Sequence, residues 1–190
     1  MPHIKVDNSL AGIRGLMNFR PETAEPMGEL ANILLKDTEG LSPAERELIA
    51  THVSYLNDCF YCHNSHGEIA CIYLNGDREL VDQVRKDYLH ADISDKLKAL
   101  LQVAGKVQKG GKFVTEEDIA NARNHGATDR DIHDTVLIAA AFCMFNRYVD
   151  GLAANTPTDL STYPARAKQV AEYGYGKHIF SKNQPVAEKV

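Results

Sequence analysis

The sequence predicts an all-α fold, and three observations carry that expectation. Apolar residues recur at helical spacing in segment after segment, no stretch shows the strict alternation of a half-buried strand, and helix caps stand at the expected starts. Pro21 to Asp37 places Met27, Leu30, Ala31, Leu34 and Leu35 on one helical face. A second helix opens at Ser42-Pro43-Ala44-Glu45, a capping box with proline in the first turn, and runs through Leu48, Ile49, His52, Val53 and Leu56. It meets Asn57-Asp58, two good N-cap residues at which the chain can turn into a third helix, from near Cys59 to about Leu74. Asn75-Gly76 ends that helix, and a fourth covers about Arg78 to Leu89. The fifth carries Leu97, Leu100, Leu101, Ala104 and Val107 and stops at Gly110-Gly111. Thr115 to Asp118 caps a sixth, and Thr128 to Asp131 caps the longest, whose apolar stretch Val136 to Phe145 predicts a buried core helix.

The elements from 1 to 156 make one helical domain, and 157–190 reads as a polar, tyrosine-rich arm or tail with little periodicity. Tyr163, Tyr173 and Tyr175 in that arm, together with helices apolar on more than one face, predict packing between subunits of a homo-oligomer. With 190 residues, 44% hydrophobic and 25% charged, the chain can bury a sizeable core. Its net charge of -5 gives no basic footprint, which argues against a nucleic-acid partner. No apolar run approaches the roughly 20 residues of a membrane span, and the first residues lack the apolar core of a secretory signal. The cytoplasm is the expected compartment. Thiols stay reduced there, so a Cys-x-x-Cys reads as a working pair and not a staple.

That pair is Cys59 and Cys62, with His63 directly after and His66 three residues further on. On a helix Cys59, Cys62 and His66 share one face, and unpaired N–H groups at the helix start favour a thiolate. His66, one turn beyond Cys62, can take and return a proton, so Cys62 is the thiol expected to ionise most readily, and Cys59, nearer the helix start, is expected to be the more exposed. A histidine acting as a base needs a group to orient it. If the chain folds back at Asn57-Asp58, Glu47 lies about 15 Å before the turn and His66 about 12 Å after it, at 1.5 Å per residue. An antiparallel pair brings them together, giving a relay from Glu47 to His66 to Cys62.

Other chemistries use the same residues. Cys59, Cys62, His63 and His66 are four possible zinc ligands, although one continuous helix surrounds a metal poorly. Cys59-Phe60-Tyr61-Cys62-His63 also fits the c-type haem attachment pattern, which belongs outside the cytoplasm. A helical assembly module with a relict site is a third, non-catalytic alternative. The residues alone favour redox use with no bound cofactor. Cys71 and Cys143 sit in apolar helical surroundings and read as packed core thiols. His52 reads as a core histidine, and Arg147 and Asp150 as a helix-surface pair.

The spacing Glu47, eleven residues, Cys59, two residues, Cys62, three residues, His66 resembles the signature of the AhpD-like alkylhydroperoxidases of the carboxymuconolactone decarboxylase superfamily. Leu41 to Ala50 resembles the family's lead-in, and Phe145-Asn146-Arg147 a later piece of its peroxidase-related branch. The likeness covers about residues 10 to 155. It implies an all-helical fold with a hairpin carrying the cysteines, assembly into trimers or hexamers, and thiol-dependent reduction of a hydroperoxide substrate in an antioxidant role. By position, Cys62 becomes the sulfenic acid, Cys59 serves as proton donor and resolving thiol, and Glu47 and His66 relay protons. A lipoyl or thioredoxin-like dithiol is the implied reductant. Carboxymuconolactone decarboxylase-like chemistry is the other activity the superfamily contains. Where some members have a histidine between the cysteines, this chain has Tyr61.

Overall fold

Three capping boxes set where the central helices begin. In the computed structural model, which describes residues 1–176, Ser42 Oγ accepts from Glu45 N while Glu45 Oε2 accepts from Ser42 N at 2.8 Å. Thr115 with Asp118 and Thr128 with Asp131 close the same way. A cap of this kind is worth about 1 kcal/mol. Among the described residues the helices are α1 (Ile13–Phe19), α2 (Pro21–Lys36), α3 (Pro43–Leu56), α4 (Phe60–Tyr73), α5 (Arg78–Asp87), α6 (Asp95–Lys109), α7 (Glu116–Asn124), α8 (Asp129–Gly151) and α9 (Tyr163–Tyr173), with no strand. No helix among them is long and apolar enough to cross a membrane.

Helix α3 lies at the centre. Every residue from Arg46 to Ser54 is buried, and the helix packs on α2, α4, α5, α6 and α8. Leu48, Ile49 and Val53 meet Leu100 and Leu101 of α6 and Ile138 and Phe142 of α8 in the main core, each large side chain contributing about 1.5–3 kcal/mol on burial. Because α3 is enclosed, its polar residues need internal partners. Arg46 finds four: Nε donates to Leu41 O, Nη1 to Leu34 O, and Nη2 to Glu39 O and to Asp134 Oδ2, all at 2.8–2.9 Å.

The turn from α3 into α4 differs in detail from the sequence expectation. Asn57 is not an N-cap; it closes α3 in helical geometry, and its Nδ2 donates to Asn146 Oδ1 at 2.8 Å. Asp58 takes the left-handed conformation, φ 57°, and Cys59 is the residue that caps α4. Cys59 N bonds back to Ser54 O at 3.0 Å, which reverses the chain and lays α4 along α3.

Two α-helices are absent from the sequence reading. Helix α1 begins at Gly12, φ 57°, with no side-chain cap to announce it. The arm, read as having little periodicity, holds a 3-10 turn (Leu160–Thr162) and then α9, which packs on α4 through Ala167, Val170 and Ile69. Its apolar signal is one residue per turn, Tyr163, Ala167 and Val170, easily lost among polar neighbours. The arm's tyrosines also depart from expectation. Tyr163 is buried within its own chain and Tyr175 turns inward to its own site, while Tyr173 is exposed. The arm's last stretch, 177–190, lies outside the described residues.

Candidate active site

The α3–α4 hairpin brings Glu47 and His66 together, with His66 Nδ1 and Glu47 Oε2 2.8 Å apart. The other carboxylate oxygen is taken by a residue that the sequence assigns to subunit packing: Tyr175 OH donates to Glu47 Oε1 at 2.7 Å and stands 3.2 Å from His66 Nδ1. Its ring stacks on the imidazole at 5.9 Å and 16°, and Phe142 meets the same imidazole edge-on at 4.6 Å. Tyr175 reaches this place because Gly174, φ 78°, turns the chain after α9. Asn32 Oδ1 accepts from Tyr175 N at 3.0 Å and would lie 2.3 Å from any Cβ at Gly174. With Nδ1 held by Glu47, Nε2 is the nitrogen left for the cavity that His66 lines.

Cys59 and Cys62 are both free thiols. They sit in a small second core with Leu16, Tyr61, Val149, Ala154 and Tyr163. Tyr61 fits only because Gly12 has no side chain; a Cβ there would lie 2.1 Å from the tyrosine ring. Two expectations about the cysteines are corrected here. Cys59 is not the more exposed of the pair, being 0% accessible against 4% for Cys62. Nor is Cys62 an easily ionised thiol in the resting pair. Its hydrogen bond with Cys59, and then burial, hold its pKa well above the ordinary thiol range, opposed by a hydrogen bond with Asn146. Asp150 is no surface partner of Arg147. Its carboxyl hydrogen-bonds with Cys59, and partial burial raises its pKa, whereas Arg147 Nη1 donates to Cys143 O at 2.9 Å.

The possible zinc ligands diverge. His63 turns to the far side of α4, edge-on to Tyr55 and Phe60, its buried Nδ1 without a hydrogen-bond partner. Burial, then the Arg85 charge, lowers its pKa to about 4. Among the described residues no three His, Cys, Asp or Glu side chains converge as a metal would require. His52 is a core histidine edge-on to Tyr88, but its Nδ1 is unpartnered, and burial lowers it to about 4. Cys71 lies in the main core, and Cys143 is half-buried with Sγ 3.6 Å from Asn57 Nδ2.

A cavity of about 160 Å³ opens where α1, α4, α8 and α9 meet. Cys62 and His66 both line it, with Tyr61, Tyr163 and Tyr175; Cys59 does not, and lies behind Cys62. The arrangement offers one reachable thiol, a second thiol touching it, and an imidazole whose rear nitrogen is fixed by a buried carboxylate. Such a set can deprotonate the reachable sulfur, present it to a small electrophile, and trap the oxidised product as a disulfide.

The family model of the carboxymuconolactone decarboxylase family matches residues 21–72, from the start of α2 to the end of α4 and including Glu47, Cys59, Cys62 and His66. Among solved structures, the chain is similar to an uncharacterized peroxidase-related protein from Ralstonia eutropha JMP134, described as an alkylhydroperoxidase AhpD core. The two are 33% identical with a TM-score of 0.71, over 77% of this chain and 76% of that one. An uncharacterized peroxidase-related protein from Silicibacter sp. TM1040 is 30% identical, TM-score 0.72, over 80% and 78% of the two chains. A protein of unknown function from Agrobacterium tumefaciens, 17% identical, shares the fold with a TM-score of 0.65 over 84% of this chain and 100% of that one. The curated proteins contain no match. The all-helical fold, the hairpin and these likenesses agree: the chain is an AhpD-like member of the carboxymuconolactone decarboxylase superfamily.

Proposed function

We propose that the chain is a thiol-dependent peroxidase that reduces hydroperoxides through Cys59 and Cys62, with Glu47 and His66 as the proton relay. The observation that carries this reading is that Cys62 and His66 line one cavity while Cys59 touches Cys62 from behind it. Because Cys62 rests protonated, attack begins with transfer of its proton to His66 Nε2 as peroxide enters, the Glu47 carboxylate stabilising the imidazolium. The thiolate attacks one peroxide oxygen and the O–O bond breaks. Sulfur becomes a sulfenic acid, and the departing alkoxide takes the proton from His66 to leave as alcohol. The Cys59 thiol then attacks the Cys62 sulfur, releasing water and closing the disulfide. An external dithiol, lipoyl or thioredoxin-like, returns both thiols by exchange. Such a cycle serves antioxidant defence in the cytoplasm, where dithiols are kept reduced.

Assembly into a homotrimer or homohexamer belongs to the same proposal. Exposed Phe19, Ile33, Leu89 and Phe113 supply apolar surface for it. Light scattering that returned a 21.0 kDa monomer at micromolar concentration would count against it.

Single-turnover peroxide consumption with sulfenic-acid trapping tests the chemistry. Cys62→Ser abolishes consumption, Cys59→Ser permits one turnover and leaves a trappable sulfenic acid on Cys62, and His66→Gln slows the attack roughly 10²- to 10⁴-fold. If Cys62→Ser reacted at the wild-type rate and Cys59→Ser were inert, the two cysteines would have exchanged roles.

A further inference from the structure

Two charged residues of the cavity wall have no part in the thiol chemistry. Arg14 of α1 and Arg166 of α9 both line it, and both charges act on the phenol of Tyr61 between the cysteines. Arg166 is half-buried; burial first, and the like charge of Arg14 second, bring its pKa down to about 10. Its Nη1 donates to Gln169 Oε1 at 3.3 Å, and among the described residues Arg166 makes no ion pair. Two guanidiniums held near each other against an apolar cavity repel, and the repulsion is strengthened by the low local dielectric. An anion placed between them removes that penalty and gains charge-assisted, bidentate hydrogen bonds. Much of the remaining wall is apolar, with Ile13, Met17, Ile69, Phe142, Phe145 and Val170. At about 160 Å³ the cavity matches the roughly 150 Å³ of an apolar protein cavity that binds one benzene molecule.

We propose, on the reading of this site as a thiol peroxidase, that its substrate is a hydroperoxide with a carboxylate on an apolar body about the size of one arene ring. The carboxylate sits on Arg14 and Arg166, the ring against Phe142, Phe145 and Ile69, and the peroxide group at Cys62 and His66. Arg14 and Arg166 are then specificity residues. They select the anion and turn the molecule so that its peroxide end points at sulfur, and the product is the corresponding hydroxy acid.

Two matched pairs of probes test this. The reactive pair is cumene hydroperoxide and the same compound with a ring carboxylate para to the peroxide-bearing carbon. The unreactive pair is 4-isopropylbenzoate and its neutral amide, followed by calorimetry on the reduced protein. We expect the wild type to be oxidised faster by the carboxylate-bearing peroxide, and to bind the benzoate more tightly than the amide, each by roughly 10- to 100-fold, the range of a charged hydrogen bond. Both ratios should collapse toward one in the Arg14→Gln, Arg166→Gln double variant, and Arg166→Lys should recover part of the preference. Ratios near one in the wild type, or ratios that survive in the double variant, overturn the assignment. If neither peroxide oxidises the thiols but the benzoate binds with the same arginine dependence, the anion site stands and the peroxidase reading falls.

Discussion

Arg46 and Glu47 are neighbours in the chain, both charged and both wholly inaccessible to solvent, yet they belong to different kinds of network. Arg46 spends its donors on three backbone carbonyls and one carboxylate, tying the α2–α3 connection to α8. None of the three carbonyls can move or exchange a proton. Glu47 has only side-chain partners, His66 and Tyr175, and each of them carries a proton that can be shared. The first network is closed on itself and serves stability. The second ends at a cavity, and its bonds can change during a reaction. Burial alone therefore says little about role; the chemistry of the partners decides it.

Breaking each network separately should expose the contrast. Arg46→Met leaves Asp134 and three carbonyls short of a donor, and removal of one partner from a buried pair costs about 3–5 kcal/mol. Urea unfolding should show that loss, while the protein that remains folded keeps its single-turnover rate. Glu47→Gln keeps the shape and should cost only about 1 kcal/mol of stability, yet slow the turnover roughly 10²-fold. Equal effects of both substitutions on stability and rate would erase the distinction.

The histidines sharpen it further. His66 has a carboxylate on Nδ1; His52, buried on α3, has no acceptor there, and burial lowers its pKa from 6.5 to about 4. The folded chain keeps His52 neutral while the unfolded chain protonates it. Its contribution is therefore fully present above about pH 6.5 and is lost as pH falls toward 4, amounting to about 3 kcal/mol. His63 adds in the same direction but by less, being partly solvated. Unfolding free energies between pH 7 and 4.5 should fall steeply in the wild type and less steeply in His52→Leu, by up to about 1.4 kcal/mol per pH unit. An unchanged slope would mean that other groups govern acid unfolding.

The smallest effect concerns Tyr175. Tyr175→Phe removes one neutral hydrogen bond from Glu47 and should slow single turnover about 3- to 10-fold. An unchanged rate would reduce Tyr175 to a cavity wall.

The elements that were legible in the sequence are those whose signals are local. Capping boxes at Ser42, Thr115 and Thr128 place α3, α7 and α8 within a residue or two. The Glu47–His66 contact could be anticipated because one turn sets it. What escaped depends on distant chain. Tyr175 is 128 residues from Glu47, and no periodicity in the arm points to a cavity on the other side of α4. The burial of Cys59 is set by Val149, Ala154 and Tyr163, which close over it only in the folded chain. Proximity along α8 pairs Asp150 with Arg147 on paper, whereas in the fold its carboxyl turns to Cys59. Helix α1 starts at a glycine with no side-chain cap, so nothing local announces it.

The position of Tyr175 also imposes an order on biosynthesis. His66 and Tyr175 are 109 residues apart, so at roughly 5–20 residues per second a ribosome makes the thiols and the imidazole some 5 to 20 s before the phenol. Throughout that interval Glu47 has one partner and the cavity lacks the wall formed by α9 and the segment after it. The nascent chain thus carries its cysteines without a finished pocket around them, and the site is completed only once the segment that follows α9 has been made.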